Sequence, residues 1–240
     1  MAGVATLMRR AGMTPHPSFK EEKPKDVMDY CIGAYTFEDC VQGEAIVTDK
    51  SGNGNNLQLF NMEWGYEDKT YDLKEGFFNG CLYMKNAGTS YGKIVLSEPL
   101  TNFTIIADRL PYAIGSIIKE WTGIVGSGET TGFSPIHLEY KKGSQIYSSS
   151  FGKSTSGRAD ADIIWMNNTH YCGVKMAGDE SGDTHDGVIF INKFRGNVTG
   201  GGAMKISSLY IFNKNLTPQE IETFIHKYIN PAYVMPPIEE

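Results

Sequence analysis

The sequence predicts an all-β fold in which two antiparallel sheets pack together, and three features support this prediction. The chain has 240 residues, which suits one sandwich core better than two separate domains. Its 27 glycines, 13 tyrosines and 12 phenylalanines favour many short strands joined by turns. A convincing amphipathic helical pattern occurs only once, near the C-terminus. We therefore predict a sandwich with one short C-terminal helix and an extended arm at each end.

Residues 1–25 are predicted to form an N-terminal arm outside the sandwich, which then spans residues 26–230. The arm contains three prolines and the charged run Lys20–Lys25, with little periodic apolarity. Two interpretations remain open: a disordered leader, or an anchor that orders against a neighbouring protein. Residues 231–240 are rich in proline and are predicted to form an extended C-terminal tail.

The sandwich is predicted to begin with a strand at Cys31–Phe37, followed by a glycine- and asparagine-rich loop at Asp49–Leu57. Glycine and asparagine tolerate positive φ, so this loop is expected to fold back tightly. Its aspartate and asparagine side chains are expected to bond the loop's own backbone.

The middle of the chain carries further strand patterns. In the segment 100–109, Phe103, Ile105 and Ala107 recur at every second position, which is typical of a strand with one face in the core. A loop rich in Gly, Ser and Thr is predicted at 123–134. The remaining strands are predicted at 76–84, 91–96, 116–119, 136–140, 145–151, 163–167, 170–176 and 187–193.

A strand at 206–212 is predicted to be central, because it carries apolar side chains on both faces. Strict alternation places Leu209 and Ile211 on one face and Ile206, Tyr210 and Phe212 on the other.

A helix is predicted directly after this strand. Thr217 and Glu220 form a capping-box pattern around Pro218, which occupies the first helical position. Apolar residues then recur at helical spacing until Asn230, which precedes a proline. Leu216 is expected to pack on a residue inside the helix.

These motifs together resemble concanavalin A-like modules of the laminin-G type. The segment 100–109 is similar to versions of the module found in gut bacteria and their tailed phages. The resemblance covers about Tyr30 to Asn230 and implies a jelly-roll sandwich, with a single strand at Gly76–Met84. The other matching residues are Asp49, Ser51, Gly52, Asn53, Gly54 and Asn55 in the loop, and Phe212, Asn213, Lys214, Leu216, Thr217, Glu220 and Ile221 at the C-terminal end.

The resemblance also implies a calcium site, with Asp49 and Asn53 as oxygen ligands. A self-bonded turn without metal is the alternative. The acidic residue that the family usually has on its last strand is missing here, where the sequence reads Ile206-Ser-Ser-Leu209.

No catalytic residue is identified, and we predict that the chain is not an enzyme. Glucanases that share this fold carry alternate carboxylates on one strand, and no such strand is found. Asp160 and Asp162 lack a following glutamate, and the strand with His137 and Glu139 offers one carboxylate. The four cysteines show no metal or disulfide spacing and are predicted to be buried free thiols.

Aromatic residues in predicted loops are candidates for stacking on sugar rings. They are Trp64, Tyr66, Tyr112 and Trp121. Packing within the protein is the alternative role for each of them.

Charge and hydropathy exclude two classes of partner. A net charge of −6 and a pI near 5.4 leave no basic face for nucleic acid. No apolar run approaches the roughly 20 residues needed to cross a bilayer, and the start of the chain lacks a signal-peptide core. The protein is therefore expected to be made in the cytoplasm and to bind neither nucleic acid nor a membrane.

Three functions follow as hypotheses, since the fold itself is compatible with several. The first is a structural accessory of a phage virion, such as a head fibre, decoration or tail protein. It would be a homo-oligomer that contacts other virion proteins through the arm at residues 1–25 and also contacts surface glycans. The second is a carbohydrate-binding or adhesion module on a bacterial cell surface. The third is a glycoside hydrolase, which the missing carboxylate strand disfavours.

Overall fold

A computed structural model describes most of the predicted sandwich. The described residues are 26–70, 73–85, 89–100, 102–110, 121–127, 136–141, 145–150, 153–155, 171–177, 187–193 and 203–232. The arm at 1–25, most of the tail, and the predicted strands at 116–119 and 163–167 lie outside these residues.

The described residues form two antiparallel sheets, one short 3-10 helix at Val27–Tyr30 and one α-helix, α1, at Pro218–Tyr228. This confirms the predicted two-sheet sandwich with a single C-terminal helix. The strands are β1 (Cys31–Thr36), β2 (Ile46–Val47), β3 (Leu57–Phe60), β4 (Tyr66–Asp68), β5 (Leu73–Phe78), β6 (Cys81–Met84), β7 (Tyr91–Val95), β8 (Phe103–Leu110), β9 (Trp121–Ser127), β10 (Ile136–Lys141), β11 (Gln145–Ser150), β12 (Lys153–Thr155), β13 (Tyr171–Ala177), β14 (Val188–Ile191) and β15 (Met204–Phe212).

In the described part of the chain, the first sheet has the strand order β13-β8-β15-β6-β5-β4, and β1 also pairs with β15. The second sheet has the order β12-β11-β10-β9-β14-β7-β3-β2. The main hydrophobic core lies between the sheets and includes Tyr35, Leu57, Phe103 and Ile211, none of which is measurably exposed. Strand β15 is therefore central, as predicted, and β4 is an edge strand.

The predicted faces of β15 are wrong at Ile206. The pairing with β8 runs Ile206 to Arg109 and then Ser208 to Asp108, so Ser207 is an extra residue in a β-bulge. Because side chains alternate from face to face, this extra residue moves Ile206 to the other side. Ile206 packs in the main core with Leu209, and not with Tyr210.

The predicted single strand at 76–84 is also wrong, because it is a hairpin of β5 and β6. Phe78 pairs with Cys81, and the two residues between them, Asn79 and Gly80, have φ values of 51° and 71°. A type I′ turn, which joins two strands through a two-residue loop, requires a positive φ at both central residues.

Strand β9 corrects the predicted loop at 123–134 over residues 123–127. Its backbone pairs with β10 and β14 in the second sheet. Four short strands, β2, β3, β4 and β12, were not predicted either.

Helix α1 covers the outer face of the first sheet. The capping box is formed as predicted, since Glu220 N–H donates to Thr217 Oγ1 at 3.2 Å and Thr217 N–H donates to Glu220 Oε2 at 2.9 Å. Phe224 packs edge-on against Tyr210 and Phe212, with ring centroids 4.9 Å and 5.0 Å apart. The residue before the cap, Leu216, is buried in the same cluster. This second cluster explains why both faces of β15 are apolar.

Candidate functional site

The structure brings two of the four aromatic candidates together. Trp64 lies in the turn before β4, and its ring centroid is 5.5 Å from that of Phe77 in the core. Tyr66 is the first residue of β4, so its predicted loop position is wrong. Trp121 is also in a strand, at the start of β9 in the second sheet, and Tyr112 lies outside the described residues.

A hydrogen-bonded turn fixes Trp64 and Tyr66 at the edge of the first sheet. Gly65 N–H donates to the carbonyl of Glu75 at 3.0 Å, and Tyr66 N–H donates to the carbonyl of Glu63 at 3.2 Å. Gly65 has a φ of 76°, which glycine adopts without steric cost. Tyr66 pairs directly with Glu75 on β5, so their side chains share one face.

Glu75 is a buried carboxylate in this edge hairpin, with 1% of its surface exposed. Its Oε1 accepts a hydrogen bond from Glu63 N–H at 3.0 Å. Its Oε2 is buried and has no hydrogen-bond donor. The nearest cation is the Lys85 ammonium at 3.9 Å, which is beyond hydrogen-bonding distance. A buried charge with an unsatisfied oxygen is costly, so this atom requires an explanation.

Lys85 links the carboxylate to its surroundings. Its ammonium lies 3.6 Å from the centroid of the Tyr66 ring and forms an ion pair with Glu63. The side chain of Lys85 is 21% exposed, whereas that of Glu63 is 64% exposed. We call Glu63, Trp64, Tyr66, Glu75 and Lys85 the edge cluster. With two carboxylates and one ammonium, its formal charge is −1.

Sequence reasoning found only the two aromatic members of the edge cluster. One signal was available for Glu75, since it precedes the core residue Phe77 by two positions and so shares its face of the strand. No signal pointed to Glu63 or Lys85, because their contacts depend on how β4, β5 and β6 pair.

The two predicted calcium ligands lie in the loop between β2 and β3. The Asp49 side chain is buried, and its carboxylate accepts four hydrogen bonds. Oδ1 accepts from Ala34 N–H and Ser51 N–H, both at 2.9 Å. Oδ2 accepts from the Ser51 hydroxyl at 2.8 Å and from Asn55 N–H at 3.1 Å. The carboxylate therefore ties the loop to itself and to β1.

The asparagines of the loop also serve its own backbone. Asn53 Nδ2 donates to the carbonyl of Cys31 at 3.0 Å and to Ser51 Oγ at 2.9 Å. Asn55 Nδ2 donates to the carbonyl of Ile32 at 2.7 Å, and its Oδ1 accepts from Ser97 N–H at 3.0 Å.

These residues do not fit a calcium ion. Calcium needs six to eight oxygen ligands whose lone pairs point at the metal. The two oxygens of Asp49 already face four donor hydrogens, and Asn53 turns its amide nitrogen towards the loop. In the described part of the chain, no three His, Cys, Asp or Glu side chains converge as a metal site. The geometry matches the alternative of a self-bonded turn.

Three of the four cysteines have described side chains, and all three are free thiols. Cys31 and Cys81 are buried, and Cys40 is half-buried. Burial raises the pKa of the Cys31 thiol to about 11, so it is protonated at neutral pH.

Comparison with known proteins supports the fold and leaves the family open. No protein-family model matches the sequence, and no curated protein matches it significantly. Among solved structures, Trypanosoma rangeli sialidase is similar over 86% of this chain and 34% of its own, with 14% identity and a TM-score of 0.54. The same sialidase in complex with sialic acid gives the same identity and coverage, with a TM-score of 0.56. The binding domain of botulinum neurotoxin DC is a weaker match, with 12% identity, coverage of 84% and 52%, and a TM-score of 0.48.

The chain thus spans about a third of the length of the sialidase chains that it resembles. No helix in the described residues has the length and apolarity required to span a membrane. At this level of identity the comparison establishes a shared β-sandwich fold, and function has to be argued from the sites.

Proposed function

We propose that the chain is a non-catalytic, lectin-like sandwich that serves as a structural accessory of a phage virion and contacts surface glycans. It attaches to other virion proteins through residues 1–25. The observation that carries this proposal is an ion pair between the start of the sandwich and the end of its last helix. The Lys227 ammonium lies 2.7 Å from Asp26 Oδ2.

This ion pair brings the two ends of the sandwich together. Asp26 is the first described residue after the arm, and its side chain also caps the 3-10 helix by accepting from Met28 N–H at 3.1 Å. Asn213 N–H donates to the carbonyl of Tyr30 at 3.0 Å, which ties the same entry segment to the end of β15. The start of the described sandwich and the end of its last helix therefore lie beside each other. A single attachment surface that uses the arm and the tail requires this proximity.

The attachment side is separate from the edge cluster. Helix α1 and the 3-10 helix cover β15, β8 and β1 on the outer face of the first sheet. The edge cluster lies at β4, which is three strands away from β15 in the order of that sheet. A sandwich held by its arms would keep the edge cluster accessible, as a display role needs.

The assignment to a phage is supported by the resemblance of the segment 100–109, most of which forms β8. A carbohydrate-binding or adhesion module of a bacterial cell surface is the second candidate. The edge cluster favours it, because aromatic rings beside charged hydrogen-bonding groups suit sugars. The two roles share the same glycan contact and differ in what the arms hold.

Arm deletion tests the attachment. Antibodies against the sandwich should label particles from the organism that encodes the chain, and a variant without residues 1–25 should be missing from them. The truncated protein should keep its thermal unfolding midpoint, since the arm is predicted to lie outside the sandwich. Normal incorporation of the truncated protein, or labelling of cell envelopes and not of particles, would overturn the virion role.

A further inference from the structure

We propose that the edge cluster is a recognition subsite for a neutral sugar, in which Glu75 accepts a hydrogen bond from a ring hydroxyl. This inference deepens the glycan contact of the proposed function and rests on it. It does not depend on attachment through the arms.

The unsatisfied oxygen of Glu75 is the first argument. The oxygens of a buried carboxylate normally accept hydrogen bonds, as the Asp49 oxygens do from four donors. Glu75 has one donor, at Oε1, and none at Oε2. The missing partner has to be a hydrogen-bond donor that reaches the edge of the sheet, which a ligand hydroxyl is able to do.

Lys85 decides how a hydroxyl reaches Glu75. The ammonium lies over Oε2 at 3.9 Å, too far to donate and close enough to cover it. Its ion pair with Glu63 is screened by solvent and therefore weak, since the Glu63 side chain is 64% exposed. When Lys85 moves outward it gives up this screened ion pair, its contact with the Tyr66 ring and its proximity to Glu75, so a ligand hydroxyl has to compensate for these contacts. A hydroxyl oxygen that donates to Glu75 then accepts from Lys85, so that one ligand group satisfies both.

The aromatic residues supply the apolar part of the subsite. Trp64 and Tyr66 are both half-buried, so each keeps part of its ring at the surface. Trp64 is held in place by its contact with Phe77, and Tyr66 by its pairing with β5. A pyranose ring has apolar C–H groups beside its hydroxyls, and it can pack on such rings while its hydroxyls reach Glu75 and Lys85.

The charge of the edge cluster selects among sugars. Glu63 and Glu75 contribute −2 and Lys85 contributes +1, which leaves −1. A sugar with a carboxylate or sulfate would be repelled, whereas a neutral hexose would not. We therefore expect neutral sugars to bind more tightly than acidic sugars such as sialic acid.

The test uses the full chain on an array of neutral and acidic glycans, with titration calorimetry on the best neutral ligand. Glu75→Gln keeps the shape and the Oε1 acceptor, and it should weaken binding at least tenfold. Glu67→Gln is the matched control, because Glu67 belongs to the same hairpin but is exposed and pairs with Lys74. It should bind like the unaltered chain. Tyr66→Leu gives a second variant that removes the ring without touching the buried carboxylate, and it should also bind more weakly.

Each result decides the inference. Loss of neutral-sugar binding in both test variants, with binding retained in the control, supports the subsite. Folded protein that binds no neutral sugar, or binds only acidic sugars, overturns it. Equal affinity of the unaltered chain and both test variants also overturns it, because the sugar would then bind elsewhere. None of these results touches incorporation through the arm, so the attachment proposal stands or falls separately.

Discussion

Replacing Asp49 by alanine should destabilise the sandwich more than any other single change in the loop. The substitution leaves the backbone N–H groups of Ala34 and Asn55 without a hydrogen-bond acceptor, and both residues are less than 5% exposed. A buried donor without a partner costs about 1–3 kcal/mol, so two of them cost about 4 kcal/mol. The Ser51 donors add little, because this residue is partly exposed and water replaces the carboxylate.

A loss of this size is easy to measure. Domains of this kind have a free energy of unfolding of about 5–15 kcal/mol, so about 4 kcal/mol is a large share of it. At about 2–4 °C per kcal/mol, the midpoint of thermal unfolding should fall by about 10 °C. Urea unfolding followed by circular dichroism gives the free energy directly. The experiment should run in chelator, so that no metal contributes.

Asp39→Ala is the matched control for this prediction. Asp39 pairs with Lys50 at 2.9 Å, but its side chain is 83% exposed, so the change should cost less than about 1 kcal/mol. Two results would refute the reasoning. One is a loss below about 1 kcal/mol in Asp49→Ala, which means that the four hydrogen bonds are not needed. The other is a lower midpoint of the unaltered chain in chelator than in calcium, which means that a metal holds the loop.

Three further predictions concern thiol chemistry, the helix cap and acid stability. Cys31 should react slowly with a disulfide reagent at neutral pH, because its pKa is raised to about 11. Stability from its neutral thiol is full below the unfolded pKa near 9.0 and declines as pH rises towards 11, a decline that Cys31→Ala should reduce. Thr217→Ala should lower the free energy of unfolding by about 1 kcal/mol in urea, whereas Thr223→Ala, exposed inside the helix, should change it little. The hydrogen bond from Lys227 lowers the pKa of Asp26, so this contact stabilises above the unfolded pKa of 3.8 and is lost as pH falls through the folded value. A carboxyl NMR titration should show the lowered pKa of Asp26 and its rise in Lys227→Met, where the hydrogen bond from Met28 N–H still lowers it; a titration unchanged by the substitution would contradict the contact.

Local sequence signals predicted the C-terminal part of the fold well. Thr217, Pro218 and Glu220 lie within four positions of each other, and their capping geometry needs no distant partner. The central place of β15 could be predicted for a similar reason, since a strand that is apolar on both faces has to be covered on both sides.

Features that depend on which strands pair could not be predicted from the local sequence pattern. The bulge at Ser207 exists because β15 has one residue more than β8 over the same length, and no local signal marks it. The Asn79-Gly80 turn is different, because this dipeptide is itself a hairpin signal that outweighs the family's single strand. Strand β9 was missed because its glycines favour a loop when the partners β10 and β14 are not known.

The two buried carboxylates show why only part of the candidate site could be predicted. Asp49 bonds residues near it in sequence, together with β1, and a motif reveals such a residue. Glu75 depends on Glu63 and Lys85, which reach it through the pairing of β4, β5 and β6.

The hydrogen bonding of Asp49 and Glu75 also separates the roles of these two carboxylates. A carboxylate with four donors has no capacity left for a ligand, so changing it should cost stability. A carboxylate with one donor keeps an acceptor in reserve, so Glu75→Gln should cost binding and leave the free energy of unfolding nearly unchanged. A large loss of stability in Glu75→Gln would mean that Glu75, like Asp49, has a structural role and does not belong to a recognition site.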